Sequence, residues 1–462
     1  MKSDLIEIPD VRGAVAGALV RGRLLELGRR FPLAWDGLLS IFDQAVVSGT
    51  SLVTAIIINR TISPDQVGLY YLILSIIIVA TGIQEHLVAA PYTIYSKRRS
   101  GHDLTEYAGS AFLHHVALTT VGLIVLLGTI ALLSLAGGGL IVPGLWALAG
   151  AGPLLLLREG IRRFALANLH IVSAIGVDLV VAAAQCSGLL LLARYGGLSI
   201  FTIYGVMGGA CALAALSWFV FDPPNARLSR QRFFADWKHN WSFGKWALRS
   251  YLVGNTTPYI MPWILGLAAG PAAVGMFGAC ATLVGLSNVL QGGVDRVLTP
   301  RAAQAFVLGG TQELRRVLVL AASFLALLLG TFSLVLLVAG GSLAVFLYGE
   351  LFRDSGAILV CLGLSALMTA MGMVAGNGLW ALEQPRANFV ADFCGLIVTV
   401  VAAAFLVPSY GALGAALASL AGTSTAAVVR TATLVRVFES ARETLVLHSD
   451  EQIQLNSHSL SA

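Results

Sequence analysis

Charged residues are scarce in this 462-residue chain. Only 11% of its residues are charged, whereas 57% are hydrophobic and the mean hydropathy is +0.82. So little polar surface cannot cover a soluble protein of this size, which excludes the soluble classes. Apolar stretches of about 20 residues, long enough to cross a bilayer, separate short clusters of charge. The sequence therefore predicts a polytopic membrane protein with about twelve transmembrane helices.

Catalytic and metal-binding motifs are missing as well. The chain has no phosphate-cradling glycine loop followed by Lys-Ser/Thr, no zinc-spaced His/Glu motif and no nucleophile elbow. Its five cysteines lie in or beside apolar spans, without metal-ligand spacing or extracellular pairing: Cys186, Cys211, Cys280, Cys361 and Cys394. We expect packing residues there, and we predict no enzyme, no cofactor and no metal site.

Basic residues concentrate at the edges of the predicted spans. A pI of about 9.0 is also typical of nucleic-acid-binding proteins, but this placement favours anionic membrane lipids as partners and no nucleic acid. Most of the 29 Lys and Arg fall on one side of the membrane, and Arg60, Arg194 and Arg353 fall on the other. The positive-inside rule then predicts a multi-pass protein of the cytoplasmic (inner) membrane with both termini cytoplasmic.

An internal repeat divides the chain into two halves. Residues 64–70 read Pro-Asp-Gln-Val-Gly-Leu-Tyr and residues 271–277 read Pro-Ala-Ala-Val-Gly-Met-Phe. Further along, 88–91 (Val-Ala-Ala-Pro) matches 297–300 (Val-Leu-Thr-Pro) in the same register. An even number of spans in each half makes the repeat parallel. We predict an all-α protein with a cytoplasmic amphipathic arm (1–33), a six-helix bundle (34–220), a basic cytoplasmic linker (221–244), a second six-helix bundle (245–436) and a cytoplasmic tail (437–462).

Three stretches resemble the polysaccharide transporter (oligosaccharide flippase) family of the multidrug/oligosaccharidyl-lipid/polysaccharide exporter superfamily. The first is 43–51 (Asp-Gln-Ala-Val-Val-Ser-Gly-Thr-Ser) together with the repeat motifs that follow it. The second is the Arg-rich stretch 158–164, and the third is 271–277. The resemblance implies two bundles around a cleft that opens alternately to each side. It implies a polyprenyl-diphosphate-linked oligosaccharide as cargo, with polysaccharide polymerase and glycosyltransferases as partners. The alternative is a cation-coupled multidrug or small-solute antiporter of the same fold.

Polar residues recur along one face of the first predicted helix. Steps of three, four or seven join Asp36, Ser40, Asp43, Thr50 and Thr54. We expect this face to look into the cleft, with Asp43 and Thr50 near the cargo, because a lipid-facing carboxylate costs about 2.5 to 3.5 kcal/mol. A structural salt bridge of Asp43 is the alternative.

Arg249 lies in the second half, one residue from the repeat equivalent of Asp43. Three interpretations remain open: an ion pair with Asp43 across the cleft, binding of the cargo diphosphate by the guanidinium, or extension of the side chain to the headgroups.

Other polar or proline residues within spans are candidates for coupling and bending. Glu85 and His86, beside Gln84, suit either proton transfer or contact between helices. His114, His115 and Asp178 allow the same two interpretations. Pro258 and Pro262 are either hinge positions or a static kink.

Overall fold

A computed structural model describes residues 32–139, 141–223 and 226–459, and these residues contain helices but no β-strand. The predicted N-terminal arm therefore lies almost wholly outside the described residues. The α-helices are α1 (Pro32–Thr61), α2 (Pro64–Gln84), α3 (Ala90–Tyr95), α4 (Gly101–Leu135), α5 (Ile141–Ala167), α6 (Ile171–Arg194), α7 (Ile200–Phe221), α8 (Arg230–Ala269), α9 (Pro271–Val284), α10 (Ser287–Tyr348), α11 (Gly356–Ala381) and α12 (Pro385–Ser459). A π-helical turn, Glu85–Ala89, joins α2 to α3.

Nine helices of the described part are long and apolar enough to cross a membrane, which is the composition expected of a multi-pass protein. Two of them contain a break in the helical backbone. It lies at Gly309 and Gly310 in α10, which has 62 residues, and at Gly411 in α12, which has 75 residues. Gly310 and Gly411 have positive φ angles that glycine adopts without strain. Because single elements run across these breaks, the number of spans stays a prediction.

Several helix contacts lie within one predicted half. In the first half α1 lies against α6, and α5 and α6 both lie against α7; in the second half α11 lies between α10 and α12. The largest group of buried apolar side chains includes Ile58 and Ile73 from the first half and Leu265 and Leu359 from the second. The core therefore continues across the boundary between the halves.

The two copies of the repeat motif meet at one end of this boundary, which we call the proline end. The starts of α2 and α9 cross so closely that a Cβ on Gly68 would lie 1.8 Å from the carbonyl oxygen of Pro271. A Cβ on Gly275 would lie 2.9 Å from the carbonyl oxygen of Pro64. Each glycine thus makes room for the proline of the other copy, and this mutual contact explains why both copies carry a Pro-x-x-x-Gly pattern.

The opposite end, which we call the basic end, holds the start of α8. Its residues 230–244 were predicted as part of a linker, but they are helical and continuous with the rest of α8. Side-chain contacts hold this segment against the start of α4. Asp236 pairs with Arg99 at 3.2 Å, and the Tyr107 hydroxyl donates to Asn240 Oδ1 at 2.8 Å. These contacts join residues that are distant in the sequence.

Candidate functional site

A network of charged side chains lies inside the first half at the junction of α1, α5 and α6. The Arg162 guanidinium donates to Asp43 of α1 and, at 2.7 Å, to Asp178 of α6. Arg158, one turn earlier on α5, also donates to Asp178. The side chains of Asp43 and Asp178 are only 3% and 1% exposed. Two arginines therefore neutralise two carboxylates that would otherwise be costly to bury.

The network continues from α5 towards the boundary between the halves. Glu159 accepts a hydrogen bond from Arg163 at 2.9 Å, and Arg163 also donates to Glu85 of the π-helical turn at 2.7 Å. Arg163 and Glu85 are 34% and 32% exposed, in contrast to the buried pairs beside them. This outer pair is therefore the part of the network that a ligand or solvent can reach.

Two residues of the polar face of α1 lie between helices in the structure and not in an open cleft. Asp43 and Thr54 are buried, and Thr54 accepts a hydrogen bond from Gln185 of α6 at 2.8 Å. Thr50 is half-buried and donates to the carbonyl oxygen of Val46 in its own helix. The physical reason is that α6 presents Asp178 and Gln185 to this face, so the polar groups satisfy each other between helices. Asp36 has no described side chain.

Asp43 forms an ion pair, one of the alternatives that the sequence left open. Asp43 pairs with Arg162, not with Arg249, so the structural salt bridge left open by the sequence is the arrangement observed. The Arg-rich stretch 158–164 lies inside α5 and not in a loop. A helical interpretation of that stretch places Arg158 and Arg162 one turn apart on one face, which was the signal available in the sequence.

A second, smaller polar group lies in the second half. Arg430 of α12 pairs with Asp392 and donates to Asn388 Oδ1 at 3.2 Å. Gly372 and Gly376 of α11 leave the room for Arg430, since a Cβ on either glycine would lie within 4 Å of its side chain. Neither Asp392 nor Arg430 was predicted from the sequence.

Asp295 of α10 makes a further polar contact in the second half. Its carboxylate accepts a hydrogen bond from Asn377 of α11 at 2.7 Å. Asn377 in turn accepts one from Thr299 at 2.6 Å. These contacts fix α10 to α11 within the second half.

Aromatic residues of α8 lie between the two polar groups. The His86 ring stacks on Tyr251 with 4.4 Å between ring centroids, and Tyr259 lies 6.3 Å from Tyr251. On the other side, a Cβ on Gly254 would lie 3.5 Å from a carboxylate oxygen of Asp392. His86 thus connects the halves through a ring contact, which agrees with the interpretation of this residue as a contact between helices.

Arg249 is exposed on α8 and stacks on Trp246, with its guanidinium carbon 4.6 Å from the ring centroid. No carboxylate of the described residues lies within ion-pair distance of it. Farther along α8, the helix continues through both prolines, and Pro262 is half-buried. The Pro258 side chain lies outside the described residues, and bending at either proline stays a prediction.

The remaining candidates have structural partners. His114 and His115 are buried, and their Nε2 atoms lie 2.8 and 2.9 Å from the carbonyl oxygens of Phe233 and Leu156. All five cysteines are free thiols. Over the described ranges, no group of three or more His, Cys, Asp or Glu side chains is placed to hold a metal ion.

Comparison with solved structures identifies the fold. The chain superimposes on an inward-facing multidrug resistance MATE family transporter of the MOP superfamily with a TM-score of 0.72 and 14% identity, over 87% of this chain and 96% of that one. The chain has the fold of MOP-superfamily transporters. The lipid II flippase MurJ in an inward closed conformation gives a TM-score of 0.67 at 11% identity, over 88% of this chain and 89% of that one.

A third MOP-superfamily transporter, from Pyrococcus furiosus, matches with a TM-score of 0.64 and 14% identity, over 88% of this chain and 95% of that one. The binding pocket of that transporter has reverse polarity, which suggests a different function for it. No protein-family model and no curated protein sequence matches the chain. The likeness is therefore one of fold, and the cargo has to be argued from the residues of this chain.

Proposed function

We propose that this protein is a flippase that moves a polyprenyl-diphosphate-linked oligosaccharide, such as an O-antigen, capsule or exopolysaccharide unit, from the inner to the outer leaflet of the cytoplasmic membrane. Transport proceeds by alternating access between the two halves, with the basic end in the cytoplasm. The shared fold with MATE and MurJ transporters supports the transport mechanism. The accessible charge near the boundary between the halves supports the anionic cargo.

That charge balance is the observation on which the proposal rests. Arg163 pairs with Glu85 and Glu159, and Arg430 pairs with Asp392. Arg249 is exposed on α8, and no described carboxylate lies within ion-pair distance to neutralise it. A diphosphate carries negative charge that a guanidinium can bind through two parallel hydrogen bonds. An arginine without an acidic partner therefore suits this cargo better than a cationic drug.

The burial of Asp43 and Asp178 also favours an anionic cargo over a cationic drug. Asp43 and Asp178 could attract a cation only if they were free, but Arg158 and Arg162 already neutralise them. Breaking such pairs to admit a cationic ligand would cost about 3 to 5 kcal/mol. The interior of the first half therefore offers no free carboxylate to a drug.

Contact at the proline end supports alternating access. The Pro-x-x-x-Gly segments of α2 and α9 are in direct backbone contact, and Arg60 of α1 donates to the carbonyl oxygen of Leu347 at 2.7 Å at the same end. A cargo cannot pass between elements in this contact. Export would require the contact to open after the basic end has closed.

Replacement of Arg249 tests the proposed cargo. Arg249→Ala should abolish export of the glycan while the amount of protein in the membrane stays normal, because the residue is exposed and has no ion pair to lose. Arg249→Lys should restore part of the export, since an ammonium group cannot form the forked contact of a guanidinium. Glycan staining of whole cells and immunoblotting of membranes measure the two quantities.

The matched control is Arg316→Ala, which removes an arginine of α10 that is 81% exposed. It should leave export unchanged. Full export by Arg249→Ala would remove this residue from the mechanism. Normal glycan together with drug hypersensitivity in a deletion strain would instead favour the cation-coupled antiporter, for which the accessible carboxylates Glu85 and Asp392 are the natural cation ligands.

A further inference from the structure

The start of α8 has two faces of different character. Asp236, Asn240 and Gly244, spaced four residues apart, are buried against the first half. Asp236 pairs with Arg99, Asn240 binds Tyr107, and a Cβ on Gly244 would lie 2.9 Å from the carbonyl oxygen of His86. This rear face is fixed by contacts at every turn, so the opposite face points away from the protein.

The opposite face carries alternating basic and aromatic residues. Lys238, Trp241, Lys245 and Trp246 form what we call the interfacial strip, and Trp241 and Trp246 are 44% and 62% exposed. Lys238 is exposed and Lys245 half-buried, and neither has a carboxylate within ion-pair distance among the described side chains. The strip therefore presents unneutralised positive charge and large aromatic surface side by side.

The length of α8 places the strip beside the membrane boundary. The helix has 40 residues, about 60 Å at 1.5 Å per residue. The hydrocarbon core is about 30 Å thick, so roughly the last 20 residues of α8 are enough to cross it. Trp246 and Lys245 then lie about 6 to 8 Å beyond the core, at the headgroup level, and Trp241 and Lys238 follow about 14 and 18 Å beyond it on the aqueous side. Tryptophan rings and lysine side chains are enriched at this level of membrane proteins.

We propose that the interfacial strip binds the headgroups of anionic phospholipids in the leaflet at the basic end. Lys245 contacts phosphate groups and the indole ring of Trp246 lies among the headgroups, while Lys238 and Trp241 approach the headgroups from the aqueous side. Charge complementarity selects the occupant, because an anionic headgroup neutralises Lys238 and Lys245 whereas a zwitterionic one does not. Trp237 supports the site, since its ring stacks on Trp241 at 6.0 Å between centroids.

The site also has a consequence for the position of the helix. The rear face attaches the start of α8 to α4, and the strip attaches it to the membrane surface. A lipid bound there fixes the depth of α8, whose continuation carries Tyr251 and Gly254 between the two halves. This role is independent of the cargo and does not rest on the proposed function.

Fluorescence quenching of the full-length purified protein tests the site. Brominated phosphatidylglycerol is titrated into mixed micelles, with brominated phosphatidylcholine as the zwitterionic comparison. The wild type should bind phosphatidylglycerol more tightly, and each lysine should contribute about fivefold to that preference, which corresponds to about 1 kcal/mol. The double variant Lys238→Gln/Lys245→Gln should lose about 30-fold of the preference. Raising the salt concentration should reduce the preference of the wild type, since exposed charges are screened.

Two controls separate this site from general effects. Lys238→Arg/Lys245→Arg keeps the charge and should keep the preference. Arg315→Gln/Arg316→Gln removes the same charge from exposed positions elsewhere and should leave it unchanged. Because the chain has 8 tryptophans, Trp241→Phe/Trp246→Phe identifies the part of the quenching that comes from the strip.

Three results would overturn the proposal. Equal quenching of the wild type by both lipids would show that the strip does not distinguish headgroup charge and has no anionic ligand. An equal loss in the Arg315→Gln/Arg316→Gln protein would show an effect of net charge alone. Tight binding of a polyprenyl diphosphate that the lysine variants abolish, without any response to phosphatidylglycerol, would assign the strip to the cargo.

Discussion

The ion pair between Arg162 and Asp43 allows the sharpest test of the interior network. The perturbation is a double-mutant cycle made of Arg162→Gln, Asp43→Asn and the two together. Arg162 is 10% exposed and Asp43 is 3% exposed, so neither side chain can turn to bulk water when its partner is removed. Arg162→Gln should be the more harmful change, because the same guanidinium also holds Asp178.

The expected magnitudes follow from burial. Removing one partner of a buried ion pair lowers the free energy of unfolding by about 3 to 5 kcal/mol, which we expect for Arg162→Gln. Asp43→Asn should cost less, about 1 to 3 kcal/mol, because Arg162 keeps its bond to Asp178 and an amide oxygen still accepts a hydrogen bond. The double variant should be little worse than Arg162→Gln alone, giving a coupling energy of about 1 to 3 kcal/mol.

Equilibrium unfolding in mixed micelles with a denaturing detergent, followed by tryptophan fluorescence and helical circular dichroism, measures these energies. The matched control is the cycle on Arg353 and Glu350, an ion pair whose side chains are both 71% exposed. Its coupling should be about 0.2 to 1 kcal/mol. Additive effects of Arg162→Gln and Asp43→Asn, within about 0.5 kcal/mol, would refute the reasoning from burial. Equal coupling in the exposed pair would refute it as well.

Two further predictions concern helix contacts and use the same unfolding measurement. Gly68→Ala forces α2 and α9 apart at the proline end and should lower the free energy of unfolding by about 1 to 3 kcal/mol. In the control Gly122→Ala the new methyl group meets open space, so the free energy of unfolding should rise by up to about 1 kcal/mol. Equal effects of the two changes would show that the close approach of α2 and α9 is unimportant. Asn377→Ala removes the donor to Asp295 and should cost about 1 to 3 kcal/mol. The control Ser409→Ala, at an exposed position, should change the free energy of unfolding by no more than about 0.5 kcal/mol. If Asn377→Ala lowers the free energy of unfolding by no more than this control does, its hydrogen bond to Asp295 does not stabilise the protein.

Prediction from the sequence succeeded where the signal is local. The all-helical membrane class followed from the composition and the length of the apolar runs, since each residue contributes to hydropathy independently of its partners. The superfamily suggested by the motifs agrees with the fold shared with MATE and MurJ structures. The number of spans and the bundle boundaries stay predictions, because helices such as α10 and α12 run across glycine breaks.

Prediction of the candidate site was less complete. His86 contacts α8 at the boundary between the halves, and Arg249 is exposed on α8, where it stacks on Trp246. The roles of Glu85, His86 and Arg249 in binding stay predictions. Asp43 was expected on a cleft face, but it is buried in an ion pair with Arg162 of α5, and the role of Thr50 stays a prediction. One helix shows which residues share a face, but it does not show what that face will meet.

The sequence by itself determined that this chain is a helical membrane protein built from two related halves, because hydropathy and repeated motifs can be read along a single chain. Only the tertiary structure decided that the Pro-x-x-x-Gly segments contact each other and that Asp43 pairs with Arg162, 119 residues away. Such a pair depends on the rotation of two helices about their axes. A shift of one residue turns a side chain by about 100°, so small differences in packing select the partner.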